Sequence, residues 1–253
     1  MRAIVYTRGA DKKARLYQDL IKATRNTLGY IDQADRVLKC SGVAMCMEYA
    51  PWQVQVKHYQ PLIERVIDQA ERRVFQAEKV PAEEKTFSIF EEHTDIIVKG
   101  SRDIQYGHKL NLSTGRSGLI LDVVIEDGNP ADSEQFLPML ERHIDHFGVA
   151  PRQMAADGGY ASMDNLQEAK TLQVKDVVFH KKRGLKVEAM AKSPWVYRKL
   201  RDFRAGIEAG ISCLKRAYGL ARCTWKGRAH FHAYVWSSVV AHNLAVFGRL
   251  KPT

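Results

Sequence analysis

The sequence predicts an α/β domain, a sheet with helices on its faces, preceded by a helical region over residues 1–85. Three observations predict it. Apolar residues in the first third recur at three- and four-residue intervals, the period of a helix. From Phe87 onward the period changes to that of strands. The order from there is strand, strand, helix, strand, helix, strand, helix, and such alternation builds a sheet covered by helices.

In the first third, Asp11 to Val37 carries Leu16, Leu20, Ala23, Thr24, Thr27, Leu28, Ile31 and Ala34 as one stripe. A second helix is expected from Pro51 to Lys79, with Val54, His58, Leu62, Val66, Gln69 and Val74 inward. Pro61 lies within it and is expected to kink it or to begin a separate helix. Two antiparallel helices packed as a hairpin are the economical reading. Pro81 and Glu83-Glu84-Lys85 read as a linker, so residues 86–253 form the second domain.

Within that domain Ile96-Ile97-Val98 is a short apolar run. Tyr106 to Leu112 alternates, Thr114 to Gly118 is a turn by composition, and Leu119 to Ile125 is a nearly continuous apolar strand. The last two strands are expected to pair as a hairpin. Asp132 or Ser133 is placed to cap a helix from Glu134 to Phe147. A short strand then ends on Asp157, followed by Gly158 and Gly159, where open α/β sheets place ligands. Helix Met163 to Leu172, strand Val174 to His180 and two long helices, Trp195 to Tyr218 and Ala229 to Arg249, complete the chain.

Charge points to a partner. Among 253 residues, 39 Lys and Arg against 29 Asp and Glu give a net charge of +10, which favours a polyanion such as DNA or RNA. No apolar run approaches the roughly 20 residues a membrane span requires. The four cysteines show no CxxC pair and no zinc-finger spacing, and are expected to be reduced thiols in a cytoplasmic protein.

The helix from Trp195 to Tyr218 carries an unusually charged face. At roughly 100° per residue, Arg201, Arg204, Glu208, Ser212 and Lys215 share one side. Gly206 and Gly210 lie on another, and each costs about 1 kcal/mol relative to alanine. Close approach by another backbone is the expected reason. Nine Lys or Arg lead into this helix from His180 to Arg204, among them Lys181, Lys182 and Arg183. Trp225-Lys226-Gly227-Arg228 is a second basic group, whose tryptophan either stacks on a displaced base or packs internally. His230, His232 and His242 have no metal spacing and read as core or surface histidines.

ADGGY at Asp157 and the spacing Arg204-x3-Glu208-x6-Lys215 resemble the second and third carboxylate motifs of bacterial insertion-sequence DDE transposases, the branch with a YREK signature. YGHKLNL and GLILDVVIEDGNPADS resemble that family's second and third strands and the loop after them. The tyrosine of the signature, three positions before its arginine, is Arg201 here. The resemblance runs from Phe87 to the C-terminus. It implies a ribonuclease-H-like mixed sheet flanked by helices, with the helical region as a hairpin-like insertion. It further implies Asp157 and Glu208 as catalytic metal ligands. Two Mg²⁺ ions, or Mn²⁺ in their place, would serve in-line phosphodiester displacement that nicks an element end and transfers the strand to target DNA. Arg204, Lys215, Arg201, Lys181, Lys182, Arg183 and Lys226 are the implied DNA contacts. Double-stranded DNA, as terminal repeats and target, is the implied partner of a homodimer associated with a bacterial nucleoid.

The family's first aspartate ends its first strand, and no such apolar run ending in Asp precedes the helical region. Arg2 to Thr7 could pair as a strand but ends without an acid. Asp95 is a candidate by strand counting, yet it stands before its apolar run. The expectation is that the first strand lies upstream of Met1, in an N-terminally truncated copy with impaired activity. The alternatives are a catalytically inactive DNA-binding remnant or regulator, and a ribonuclease-H-like nuclease acting on branched DNA or hybrids.

Overall fold

A computed structural model describes residues 4, 6–40, 49–81, 83–99, 103–181 and 183–250. The chain divides into two compact units, residues 1–92 and 93–253.

The first unit is the expected helical pair, α1 (Ala10–Cys40) and α2 (Tyr49–Val74). Its seam is Ile21, Leu28 and Ile67, with Ile31, Ile63 and Ala70 packed alongside. The stripe is rotated from the expected one, since Leu20 and Val54 are exposed while Ile21 and Ile67 are buried. α2 runs through Pro61 as one helix. The segment after α2 folds back onto it. The Gln69 amide bonds both the N–H and the carbonyl of Thr86, and the ring of Phe90 packs on Tyr59.

Among its described residues the second unit holds six strands in three pairs. β1 (Asp95–Lys99) and β2 (Asp103–Gly107) are antiparallel, as are β3 (Leu110–Thr114) and β4 (Ile120–Ile125). β5 (Gln153–Ala156) and β6 (Asp176–Phe179) are parallel, with Gln153 opposite Asp176 and Ala156 opposite Phe179. The architecture is therefore mixed α/β, with small sheets among helices. The expected strand Tyr106 to Leu112 is in fact two strands. Gly107, with φ of +142°, breaks the run where a residue with a Cβ would resist it, so Tyr106 pairs with Ile96 and only Leu110 onward pairs with β4.

Helices α3 (Asp132–Phe147), α4 (Met163–Thr171), the short α5 (Val187–Met190), α6 (Pro194–Ala217) and α7 (Arg228–Phe247) complete the unit. Two cores form. The larger surrounds β6, whose four residues are all buried, and takes Phe136 and Leu140 from α3, Leu166 and Ala169 from α4, and Val196 and Tyr197 from α6. The smaller packs Ile120 and Val123 of β4 against Leu214, Val235 and Val239. α6 thus contributes its first turn to one core and its last to the other. Burying an aliphatic or aromatic side chain stabilises by about 1.5–3 kcal/mol, so both ends of α6 are well anchored. Ser193 caps its first turn by accepting from the Val196 N–H, and Pro194 fits the first helical position. Between those anchors, from Arg201 to Gly210, no residue is buried. That exposed middle carries Glu208.

Candidate active site at the end of strand β5

β5 stops at Ala156, and Asp157 begins a 3-10 turn over Gly158–Tyr160. Its carboxylate accepts from the Gly158 N–H at 2.6 Å, the local bond that short polar side chains make at turns. Both glycines are required by space. A Cβ on Gly158 would stand 2.6 Å from Lys181 Cβ, and one on Gly159 would stand 3.0 Å from Asp132 Cβ and Cγ. The parallel pairing of β5 with β6 puts Lys181, two residues past the end of β6, beside the residues that follow β5.

The structure brings Asp157 and Glu208 together through one side chain. Arg204 Nη2 lies 2.9 Å from Asp157 Oδ2, and Nη1 lies 2.5 Å from Glu208 Oε1. The two acids are 51 positions apart in sequence, and their convergence depends on α6 packing against β5 and β6. The Arg204 side chain is 14 % exposed, whereas those of Asp157 and Glu208 are 49 % and 66 % exposed. A guanidinium therefore sits beneath two solvent-facing carboxylates and offsets their mutual repulsion. An exposed ion pair of this kind adds about 0–1 kcal/mol, so the carboxylates are free to exchange it for another cation.

Support comes from residues that sequence reasoning missed. The Tyr160 hydroxyl donates to Asn111 Oδ1 at 2.7 Å, and the buried Asn111 amide donates to Glu126 at 2.5 Å. Burial, followed by the negative charges of Asp132, Asp157 and Glu126, pushes the Tyr160 phenol up to about 12. It therefore stays a protonated donor at neutral pH. Lys109 Nζ stands 2.5 Å from Asp132 and donates to the Pro130 carbonyl. The doublet Gly158-Gly159 was the available signal, because neither glycine has a positive φ and so both mark crowding.

Other expected site residues fall as follows. Lys181 is exposed beside the Asp157 turn, Lys215 is exposed two turns along α6 from Glu208, and Arg201 is exposed with Asp202 3.4 Å away. Arg183 is exposed in the loop after β6, while Lys182 lies outside the described residues. Lys226 is exposed just before α7, and Trp225 packs edge-on to Tyr234 at 5.5 Å, which favours the packing reading of that tryptophan. His242 is buried and within 3.3 Å of the Gly118 carbonyl, as expected of a core histidine.

Asp95 lies 3.1 Å from His108 Nδ1 and accepts from the Gly128 N–H at 3.1 Å. Two expectations are corrected. Gly206 and Gly210 face open space, so close packing within this chain is not the reason for them. Asp132 does not cap α3 with its side chain. Ala131 holds the cap position, and Asp132 turns to Lys109.

Among the described residues no set of three His, Cys, Asp or Glu side chains is grouped to hold a metal ion. The donors that do meet are carboxylate oxygens, the hard ligands that Mg²⁺ and Mn²⁺ accept, and they already share one cation in Arg204. This pair fits part of a divalent-metal site. No helix of the described residues is long and apolar enough to cross a membrane.

No curated protein and no solved structure matches the chain significantly. A family model does: the transposase DDE domain matches residues 99–244, more than half of the chain and the whole stretch carrying Asp157, Arg204, Glu208 and Lys215. Such domains generally use a divalent metal and act on DNA. With that match laid over two carboxylates that converge on one guanidinium, the chain belongs to the family of transposase DDE domains.

Proposed function

We propose that this chain is an insertion-sequence transposase of the YREK branch, with a ribonuclease-H-like arrangement of its second unit. In this reading Asp157 and Glu208 are two of the carboxylates that hold the catalytic ions. The observation that carries it is the Arg204 bridge, which joins the end of β5 to the exposed middle of α6. When bound, two Mg²⁺ ions would activate the attacking oxygen and stabilise the leaving oxygen of an in-line phosphodiester displacement. The chain's own residues do the rest. Asp157 is fixed by its turn, and Glu208 stands on the open side of α6. Arg204 holds the pair together before loading and is then free to bind a phosphate of the DNA end. Lys215, on the same helix face, takes a phosphate further along, and Lys181, Lys182, Arg183, Arg201 and Lys226 extend the basic surface that neutralises the backbone.

A site of this kind takes a third carboxylate, and Asp95 is engaged by His108 and the Gly128 N–H. The same commitment of Asp95 favours a second reading, a DNA-binding remnant or regulator that keeps the basic surface without strand cleavage. One experiment separates the two. A duplex bearing the repeats that flank the coding sequence is incubated with the chain and Mg²⁺ or Mn²⁺, alongside Glu208→Ala. Nicking or strand transfer that Glu208→Ala abolishes supports the transposase. Salt-sensitive DNA binding without nicking, unchanged by Glu208→Ala, selects the regulator. Absence of DNA binding at low salt sinks both.

A further inference from the structure

The turn that carries Asp157 is held from outside by a lysine and an aspartate that the family chemistry does not need. Asp157 O accepts from the Tyr160 N–H at 3.1 Å, and Gly158 O accepts from the Ala161 N–H at 3.4 Å. This small turn has few bonds of its own. Its second glycine rests on the Asp132 carboxylate so closely that no side chain fits between them. Asp132 lies in the first turn of α3, where a carboxylate facing the helix N–H groups is the ordinary role for an acid. Here it instead reaches Lys109, with Nζ 2.5 Å from Oδ1. The same ammonium donates at 2.5 Å to the Pro130 carbonyl, so it ties down both the loop before α3 and its first residue. Lys109 is itself pinned, because its carbonyl accepts from the Glu126 N–H at 2.9 Å across the end of the β3–β4 hairpin. Its side chain is only 18 % exposed, poorly placed for a phosphate backbone.

We infer that Lys109 and Asp132 are positioning residues, a clamp that sets the place of Gly159 and through it the direction of the Asp157 carboxylate. The chain of contact runs from the hairpin end through Lys109 and Asp132 to Gly159 and then to Asp157. Without the ammonium, Asp132 loses its partner and the glycine its backstop. This inference rests on reading Asp157 as a ligand of the divalent ion, and its test is built to keep the two apart.

Amide hydrogen exchange of the full chain reads the clamp directly, without metal or DNA. In Lys109→Met and in Asp132→Asn, the amides of Tyr160 and Ala161 should exchange at least about tenfold faster. The His180 amide, which bonds the Ala156 carbonyl at 3.0 Å, should keep its rate. Lys109→Arg should restore protection. Faster exchange at Tyr160, Ala161 and His180 together would mean general loosening, and unchanged exchange at the turn would mean no clamp. Either result overturns the inference, and if Lys109→Met fails to fold, Asp132→Asn decides alone. Mn²⁺ binding, followed by the spectrum of the free ion, then tests the reading beneath it. Asp157→Ala should lose binding, and the clamp variants should weaken it by about tenfold, the lower end for residues that orient a ligand. Binding unaffected by Asp157→Ala would remove the metal role of Asp157 while the exchange data still judge the clamp.

Discussion

Two pairs of glycines flank the acids of the site, and they stand in opposite surroundings. Gly158 and Gly159 follow Asp157 with Lys181 and Asp132 pressed against them, whereas Gly206 and Gly210 bracket Glu208 with nothing within 4 Å of an added Cβ. One acid therefore sits on a turn that cannot shift without moving its neighbours. The other sits on a stretch of helix that the other described residues leave largely uncovered. The site has a fixed half and a compliant half, joined by the guanidinium of Arg204. In the proposed reading, such a division suits a carboxylate pair that first hold each other through an arginine and later make room for a cation and a phosphate.

The largest effect should come from filling the fixed half. In Gly158→Ala the new methyl meets Lys181 Cβ at 2.6 Å and its backbone nitrogen at 3.2 Å, and a backbone atom has no rotamer by which to withdraw. Overpacking of this kind typically costs about 1–3 kcal/mol, and urea unfolding should show at least that. Gly206→Ala should do the reverse. It lies inside α6 with free space around it, so the gain in helix propensity should stabilise the unit by up to about 1 kcal/mol. If Gly206→Ala instead destabilised the isolated chain, the open surroundings of that glycine would be refuted.

That contrast was only half legible in the sequence. The helices and most strands follow from periodicity, and the pairing of ADGGY with Arg204, Glu208 and Lys215 follows from the resemblance to the motifs of DDE transposases. The pattern places Gly158 and Gly159 at a turn and Gly206 and Gly210 inside a helix, but a glycine in a string of letters does not say whether it is there for space or for conformation. The interior pair in α6 suggested close packing by analogy with helix crossings, yet the stretch lies between two cores and touches neither. The Lys109–Asp132 contact left no periodic signal, since it joins a strand end to a helix start 23 positions away. Gly107 hid a strand break inside an alternating run for the same reason: its φ of +142° is a fact of the fold and not of the pattern.

A smaller effect tests the link between the halves. If Arg204 binds a phosphate once the acids are engaged elsewhere, Arg204→Gln should lower the slope of log K against log salt by about 0.9, one contact on duplex DNA. Lys215→Gln should do the same, and the double variant should lower it twice as far. A slope unchanged in Arg204→Gln would confine that residue to its two carboxylates and leave the compliant half without a phosphate contact at its centre.

The smallest expected effect comes from acid and bears on the fixed half. His108 precedes Lys109 and is almost wholly enclosed, with Asp95 on one ring nitrogen and His93 2.7 Å from the other. The ring of Phe231 lies 4.8 Å away, and the pair of Asp127 and Arg228 stands nearby. Burial holds the His108 imidazole below its ordinary value of 6.5, outweighing the opposite pull of Asp95. On acidification the unfolded chain therefore takes up the proton before the folded one. Stability that is present above about pH 6.5 is lost as pH falls through the folded-state value. His143 is shifted the same way by burial, so the informative quantity is the difference between the parent chain and His108→Gln, in which the acid-side loss should be smaller. The strand that begins just after His108 carries the β3 end of the hairpin on which Lys109 is pinned, so the same acid titration should also lower the protection factor of the Tyr160 amide, its exchange relative to the unstructured rate at each pH, in the parent and spare it in His108→Gln. A protection factor at Tyr160 that is constant between pH 7 and 5 in both chains would leave the Asp157 turn independent of the histidine, and its rigidity would then rest on Lys109, Asp132 and Tyr160 alone.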